Sequence, residues 1–161
     1  MALNKDSFRT GVSFGLTSAI ITTLGLMVGL YASTNSKLVV LGGIITIAVA
    51  DAFSDALGIH ISEESEKVHT QMEVWQSTIF TFLAKFIFAL TFVIPVLLFE
   101  IFTAVIISIV WGLLALSILS YKIAKSKKEN PFAMISEHVV IAVVVIVITN
   151  YIGILVGRFF G

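Results

Sequence analysis

The chain has 161 residues, of which 58% are hydrophobic and only 12% are charged, and its mean hydropathy is +1.05. This composition lies outside the range of soluble globular proteins and indicates an integral membrane protein. Ten basic and ten acidic residues leave no net charge, which argues against a surface for nucleic acid. The sequence contains no cysteine, so disulfides, thiolate zinc sites and thiol catalysis are excluded.

Hydropathy divides the chain into five apolar segments, each long enough to cross a bilayer as a helix. The apolar run from 77 to 124 would be about 72 Å long as one helix, more than twice the hydrocarbon thickness, so it must turn back. We place this turn near 98–101, where Pro95 and Glu100 interrupt the apolar pattern. The sequence therefore predicts an all-α membrane protein with five transmembrane helices in a single membrane domain, 1–161. The predicted spans are about 8–32, 38–61, 77–97, 101–121 and 138–160, with a short cytoplasmic loop at 62–76.

Basic residues in the loops predict the orientation. With the N-terminus in the cytoplasm, seven basic residues lie inside and two lie outside, which is a positive-inside bias. The inside residues are Lys5, Arg9, Lys67, Lys122, Lys125, Lys127 and Lys128, and the outside residues are Lys37 and Arg158. The C-terminus then lies on the opposite side. We expect a multi-pass protein of the lipid bilayer, and the compact chain favours a prokaryotic plasma membrane.

Charged residues inside the second and third spans are the main functional signal. Asp51 and Asp55 are four residues apart, so a helix places them on one face, one turn apart. A carboxylate at this depth costs several kcal/mol and requires a compensating cation. Counted inward from the cytoplasmic ends, Ser18, Asp51, Asp55 and Lys85 all lie roughly 9–15 Å below the surface, and Thr22 lies a turn deeper than Ser18. A polar layer shared by three helices marks a site or a path.

The compensating cation is open to two interpretations. Lys85 either pairs with the aspartates as a structural ion pair, or extends to the cytoplasmic interface and leaves them free. One lysine cannot cancel two aspartates. If two subunits met along this face, four carboxylates would oppose two ammonium groups, and the surplus of two negative charges would suit one divalent cation.

The segment Ala50–Glu66 resembles the second transmembrane helix of the vacuolar iron transporter family, which carries an Ala-Asp-Gly-Phe-Ser-Met-Ala-Ala-Gly-Glu-Tyr run. The matching positions are Ala50, Asp51, Phe53, Ser54, Ala56, Gly58, Ser62, Ser65 and Glu66. The resemblance implies a homodimer of five-helix subunits that exports iron or manganese from the cytoplasm by proton antiport, along a path lined by the first two helices. The divalent metal is then the substrate, and no other cofactor is expected.

Three positions depart from the family pattern. The family has aspartate at the position of Ser18, methionine at that of Asp55 and glutamate at that of Ile59, and it has no known counterpart of Lys85. A site of oxygen ligands without a thioether favours harder cations such as Mn²⁺ over soft metals. We therefore predict that Asp51 and Asp55 bind the metal, and that the path is lined by Ser18, Thr22, Ser54 and Lys85. The alternative is a membrane scaffold or metal-responsive protein that does not transport, with both aspartates neutralised by Lys85.

The loop at 62–76 carries a second candidate metal site. If this loop is helical, Glu66, His69 and Glu73 share one face, with the Glu-x-x-His spacing that di-iron carboxylate bundles use. The family often has a metal-binding domain at this point, which is absent here or reduced to a stub. The loop either captures metal weakly at the mouth of the path or is a solvated, charged turn. The sequence contains no nucleotide-binding loop and offers no nucleophile, so we expect no enzymatic activity.

Overall fold

The structure is a computed structural model that describes residues 4–66 and 68–161. Within these ranges the chain is helical and contains no strand. The helices are α1 (Lys5–Thr34), α2 (Lys37–Glu66), α3 (Gln71–Thr91), α4 (Val93–Leu98), α5 (Ile101–Lys127) and α6 (Pro131–Phe160). The short α4 continues α3, so that Gln71–Leu98 forms one span and five helical segments are long and apolar enough to cross a membrane. The predicted all-α class with five spans is confirmed.

The break between α3 and α4 and the turn after α4 both follow from the residues around Pro95. Proline has no backbone N–H, so the carbonyl of Thr91 loses its helical partner, and α3 ends at that residue. α4 then stops at Leu98 and α5 begins at Ile101, where the sequence placed the turn. The helix pair 77–121 is therefore a hairpin, as predicted.

The connection between α2 and α3 is shorter than the predicted loop. α2 continues to Glu66 and α3 begins at Gln71, so residues 62–66 and 71–76 are helical. Thr70 starts α3 through a capping box: its hydroxyl accepts from the Glu73 N–H, and the Glu73 carboxylate accepts from the Thr70 N–H at 2.8 Å. Lys67 lies outside the described residues.

The alternating helices give the bundle two ends. We call N-face the end that carries Asn4 and the α2–α3 and α5–α6 connections, and C-face the end that carries the α1–α2 and α4–α5 connections. On the C-face, the Lys37 ammonium donates to the carbonyl oxygens of Leu97 and Phe99 at 3.1 and 3.2 Å. The predicted orientation assigns the N-face to the cytoplasm.

α1 is the central helix and packs against α2, α3, α5 and α6. The apolar core lies around its middle and C-face half. Its buried members include Ile20, Leu24, Met27, Ile44, Phe92 and Leu116. The outer surfaces of the bundle, above all that of α6, expose large apolar side chains such as Ile148 and Ile152. Such a surface suits lipid rather than water.

Two glycines let α1 approach α3 closely in the N-face half. A Cβ on Gly11 would lie 2.5 Å from the Ser77 carbonyl oxygen, and one on Gly15 would lie 2.6 Å from the Thr81 carbonyl oxygen. Real side chains do not fit at these distances, so the two backbones meet directly. This contact holds the polar face of α3 against α1.

Candidate functional site

Lys85 is the centre of the polar layer and is almost completely buried, with 1% of its side chain exposed. Its ammonium lies 2.5 Å from Asp51 Oδ2, forms an ion pair and hydrogen bond with Asp55 Oδ2, and donates to Ser18 Oγ at 2.7 Å. Two of the three ammonium N–H donors are used by Asp55 and Ser18, and the Asp51 carboxylate is a third partner by ion pairing alone. The structure therefore shows the ion pair, and Lys85 does not extend to the interface.

Helical spacing explains how three helices bring these groups together. On α2, Asp51 and Asp55 are one turn apart on the same face. On α3, Lys85 continues a buried row at four-residue spacing that also contains Ser77 and Thr81. Because Gly11 and Gly15 seat α1 on this row, Ser18 reaches the ammonium from the third side.

The two aspartates are not equally bound and not fully enclosed. Their side chains keep 25% exposure at Asp51 and 18% at Asp55. The Asp51 contact is short but poorly aligned, since Oδ2 of Asp51 is buried and makes no hydrogen bond within the described residues. Two carboxylates and one ammonium leave a formal surplus of one negative charge beside the exposed edges of the two aspartates.

A column of buried polar side chains connects this cluster to the N-face, and the sequence analysis did not single it out. Its members are Glu63, Gln76, Ser77 and Thr81, all at most 8% exposed. The Thr81 hydroxyl and Glu63 Oε2 are buried without a hydrogen-bond partner in the described part of the chain. Leaving such groups unpaired costs free energy, so each requires a partner that the described residues do not supply.

The four-residue spacing along α2 could have placed Glu63 on the same helix face as the aspartates. Asp51, Asp55, Ile59 and Glu63 recur at intervals of four, so Glu63 continues the face of the aspartates toward the N-face. The antiparallel register, fixed by the 3.0 Å contact between His60 Nδ1 and Thr78 Oγ1, sets Glu63 level with the first turns of α3. Glu63 lies within the segment predicted as a cytoplasmic loop, but it is 8% exposed and belongs to the buried face of α2.

Two predicted path residues do not join the cluster. The Thr22 hydroxyl donates to the Ser18 backbone carbonyl at 2.9 Å, one turn back on α1. Ser54 is exposed on the outer surface of α2. Neither side chain is hydrogen-bonded to Lys85 or to the aspartates of the cluster in the single chain, so a role in the path would require contacts with a second chain.

The helical face predicted for Glu66, His69 and Glu73 does not form. Glu66 ends α2, His69 lies in the connection, and Glu73 belongs to the first turn of α3. His69 Nε2 lies 3.5 Å from Glu66 Oε2, but the Glu73 carboxylate is turned to Thr70 and accepts from Asn4 Nδ2 at 2.5 Å. Across residues 4–66 and 68–161, no three His, Asp or Glu side chains are grouped as a metal site. Because the Glu73 carboxylate caps the start of α3, it does not join Glu66 and His69 in the metal site that we expected.

Comparison with known proteins adds no identification. No profile of a protein family matches the chain, and no curated protein matches it in sequence.

Proposed function

We propose that the chain is a secondary transporter that exports a divalent metal cation, iron or manganese, in exchange for protons, and that Lys85 is the resident counter-cation of its site. The observation that carries this proposal is the cluster itself. A buried ammonium is shared by two partly exposed carboxylates, and the three groups together have a surplus negative charge. The cluster lies at the inner end of the column of buried polar side chains that begins at the N-face.

Charge balance supports a divalent substrate. One subunit has a surplus of one negative charge at Asp51, Asp55 and Lys85, so two subunits have a surplus of two. One divalent cation neutralises this surplus, and so do two protons on the carboxylates. The paired site can therefore carry either one divalent cation or two protons, which is the requirement for antiport. The ligands available are carboxylate and hydroxyl oxygens, which suit Mn²⁺ and Fe²⁺.

An exposed row of small residues on α2 supports the homodimer that the proposal requires. The row recurs every four residues beside the aspartates and consists of Gly42, Thr46, Ala50, Ser54, Gly58 and Ser62. A Cβ added at Gly42 or Gly58 would meet no atom within 4 Å in the single chain. Small residues at this spacing allow a second helix to approach closely, which brings the two half-sites together.

Cysteine crosslinking tests the dimer directly, since the chain has no cysteine of its own. We expect Ser54→Cys to form disulfide-linked dimers in oxidised membranes. Val144→Cys is the matched control, because Val144 is exposed on α6 and far from the row in sequence. Equal crosslinking of the two variants would mean that the disulfides form by random collision of chains in the membrane. If Ser54→Cys forms no disulfide-linked dimer, an interface through α2 is contradicted.

Transport is tested in liposomes that contain a metal-sensitive dye. Asp51→Asn and Asp55→Asn preserve side-chain shape and remove the charge, and we expect each to lower the Mn²⁺ flux at least about tenfold, since removing a charged ligand costs several kcal/mol. Glu64→Gln, which removes an exposed charge at the end of the same helix, is the control. If both Asp variants transport as fast as the parent, the assignment fails.

The second candidate function is a non-transporting scaffold or metal-responsive protein. It is favoured by one observation: the Lys85 ammonium is ion-paired with both Asp51 and Asp55, so it already occupies the space between the carboxylates. In that case metal would neither bind at the cluster nor cross the membrane, and the same liposome assay would show no flux in the parent chain.

A further inference from the structure

A basic pocket on the N-face, between α1, α5 and α6, is unrelated to the Lys85 cluster. Its volume is about 710 Å³, and its lining includes Arg9 from α1, Lys122 and Lys127 from α5, and His138 from α6. Asp6 is the acidic residue among the lining residues, so the pocket has a surplus of two positive charges with His138 neutral. A ligand held there should be an anion.

Two of the lining side chains, Arg9 and His138, are held by contacts between helices. The Arg9 guanidinium donates to Ser126 Oγ, which ties α1 to α5. Nδ1 of His138 lies 2.7 Å from Ser120 Oγ, which ties α6 to α5. A guanidinium has five N–H donors, so one bond to Ser126 leaves others to face the pocket. The pocket is thus assembled by three helices rather than by one flexible loop.

The pocket lining has a basic part and an apolar part. The basic part, which we call the rim, consists of the exposed side chains of Arg9, Lys122 and Lys127. The apolar part, which we call the wall, includes the half-buried side chains of Val12, Leu119, Ile123 and Met134. A small soluble anion would contact the rim and leave this wall uncovered. A phospholipid contacts both parts: its phosphate meets the basic rim, and its glycerol and first acyl carbons cover the apolar wall. Since these helices are long enough to cross a membrane, we expect their N-face ends at the level of the lipid head groups, where basic pockets between helices hold anionic lipids.

We propose that this pocket is a binding site for an anionic phospholipid of the membrane leaflet on the N-face, with the phosphate held by Arg9, Lys122 and Lys127. The site is independent of the transport proposal, because it shares no residue with the Lys85 cluster. It binds a lipid whose net charge is negative in preference to a zwitterionic one, since the surplus positive charge discriminates between them.

The test compares two double variants of α5 that remove the same charge. Lys122→Gln with Lys127→Gln removes two rim residues. Lys125→Gln with Lys128→Gln removes two lysines of the same helix end that do not line the pocket; Lys125 instead lies 5.9 Å from the centre of the Tyr121 ring. All four lysines are exposed, so neither variant removes a buried contact.

Phosphatidylglycerol is titrated into the full chain in neutral detergent micelles, and bound lipid is counted by native mass spectrometry. We expect one tightly bound lipid in the parent and about thirtyfold weaker binding in the rim variant, because each basic residue beside the bound phosphate contributes a factor of about five. The control should weaken binding less than about threefold, because Lys125 and Lys128 do not line the pocket. Phosphatidylcholine should bind the parent no better than the rim variant.

Three results would overturn the proposal. Equal loss in both double variants would mean that general electrostatic attraction is sufficient. Equal binding of phosphatidylglycerol and phosphatidylcholine would exclude recognition of charge. Complete displacement of the lipid by millimolar inorganic phosphate would assign the pocket to a soluble anion. The thermal unfolding midpoint of each variant in detergent confirms that binding is compared between folded proteins.

Discussion

Replacing Lys85 by methionine is the most informative single change, because it keeps the length of the side chain and removes its charge. The variant leaves Asp51 and Asp55 facing each other without a partner, about one helical turn apart. Removing one member of a buried ion pair costs roughly 3–5 kcal/mol. Since the two carboxylates keep 25% and 18% exposure, we expect the lower end, about 3 kcal/mol of unfolding free energy.

The assay is reversible unfolding in mixed micelles, followed by circular dichroism, with and without Mn²⁺. We expect Lys85→Met to lose stability without metal and to regain much of it when Mn²⁺ takes the place of the ammonium. The triple variant Lys85→Met, Asp51→Asn, Asp55→Asn should recover most of the loss without metal, because no unpaired charge remains. If Lys85→Met is within about 0.5 kcal/mol of the parent, the usual effect of a surface substitution, the central role given to this ion pair is wrong.

Two further predictions concern stability and are checked by the same unfolding assay. Gly15→Ala should destabilise by about 1–3 kcal/mol, because the new Cβ would lie 2.6 Å from the Thr81 carbonyl oxygen, whereas Gly58→Ala meets nothing within 4 Å and should not destabilise the monomer. An equal effect of the two alanines would contradict the close contact between α1 and α3. Thr70→Ala should cost about 1 kcal/mol by removing the cap of α3, and a change below experimental error would show that the capping box with Glu73 does not hold this end.

The ends of the helices differ from the predicted spans, since α5 continues to Lys127 rather than 121 and α6 begins at Pro131 rather than 138. The number of the helices could be predicted because the bilayer simplifies the problem. Within it, backbone groups must be paired inside the helix, and a span needs about twenty apolar residues, so hydropathy and length decide the outcome. The length of the apolar run required a hairpin, and Pro95 and Glu100 indicated its position near 98–101. The helix ends at Glu66 and Gln71 were harder, because charged residues continue a helix beyond the apolar region, and only the capping by Thr70 determines where α3 begins.

The partners of Lys85 could not be predicted from the sequence. Depth counting placed Ser18, Asp51, Asp55 and Lys85 at one level, but a long lysine side chain at that depth has two outcomes. The outcome depends on which face of α3 meets α1 and α2. Gly11 and Gly15 decide this by admitting the α3 backbone, and their role becomes visible only when the α3 carbonyl oxygens beside them are located.

Partial exposure of the aspartates bears on the choice between the two proposed functions. A permanent lock would be most stable with both carboxylates enclosed around the ammonium, but Asp51 and Asp55 have open edges on α2 beside the row of small residues. One negative charge of each cluster is left without a protein partner in the single chain. Exposed to hydrocarbon, that charge would cost several kcal/mol, so a proton or a metal cation must compensate it. Both are components of the antiport proposal, and a permanent lock by Lys85 alone supplies neither.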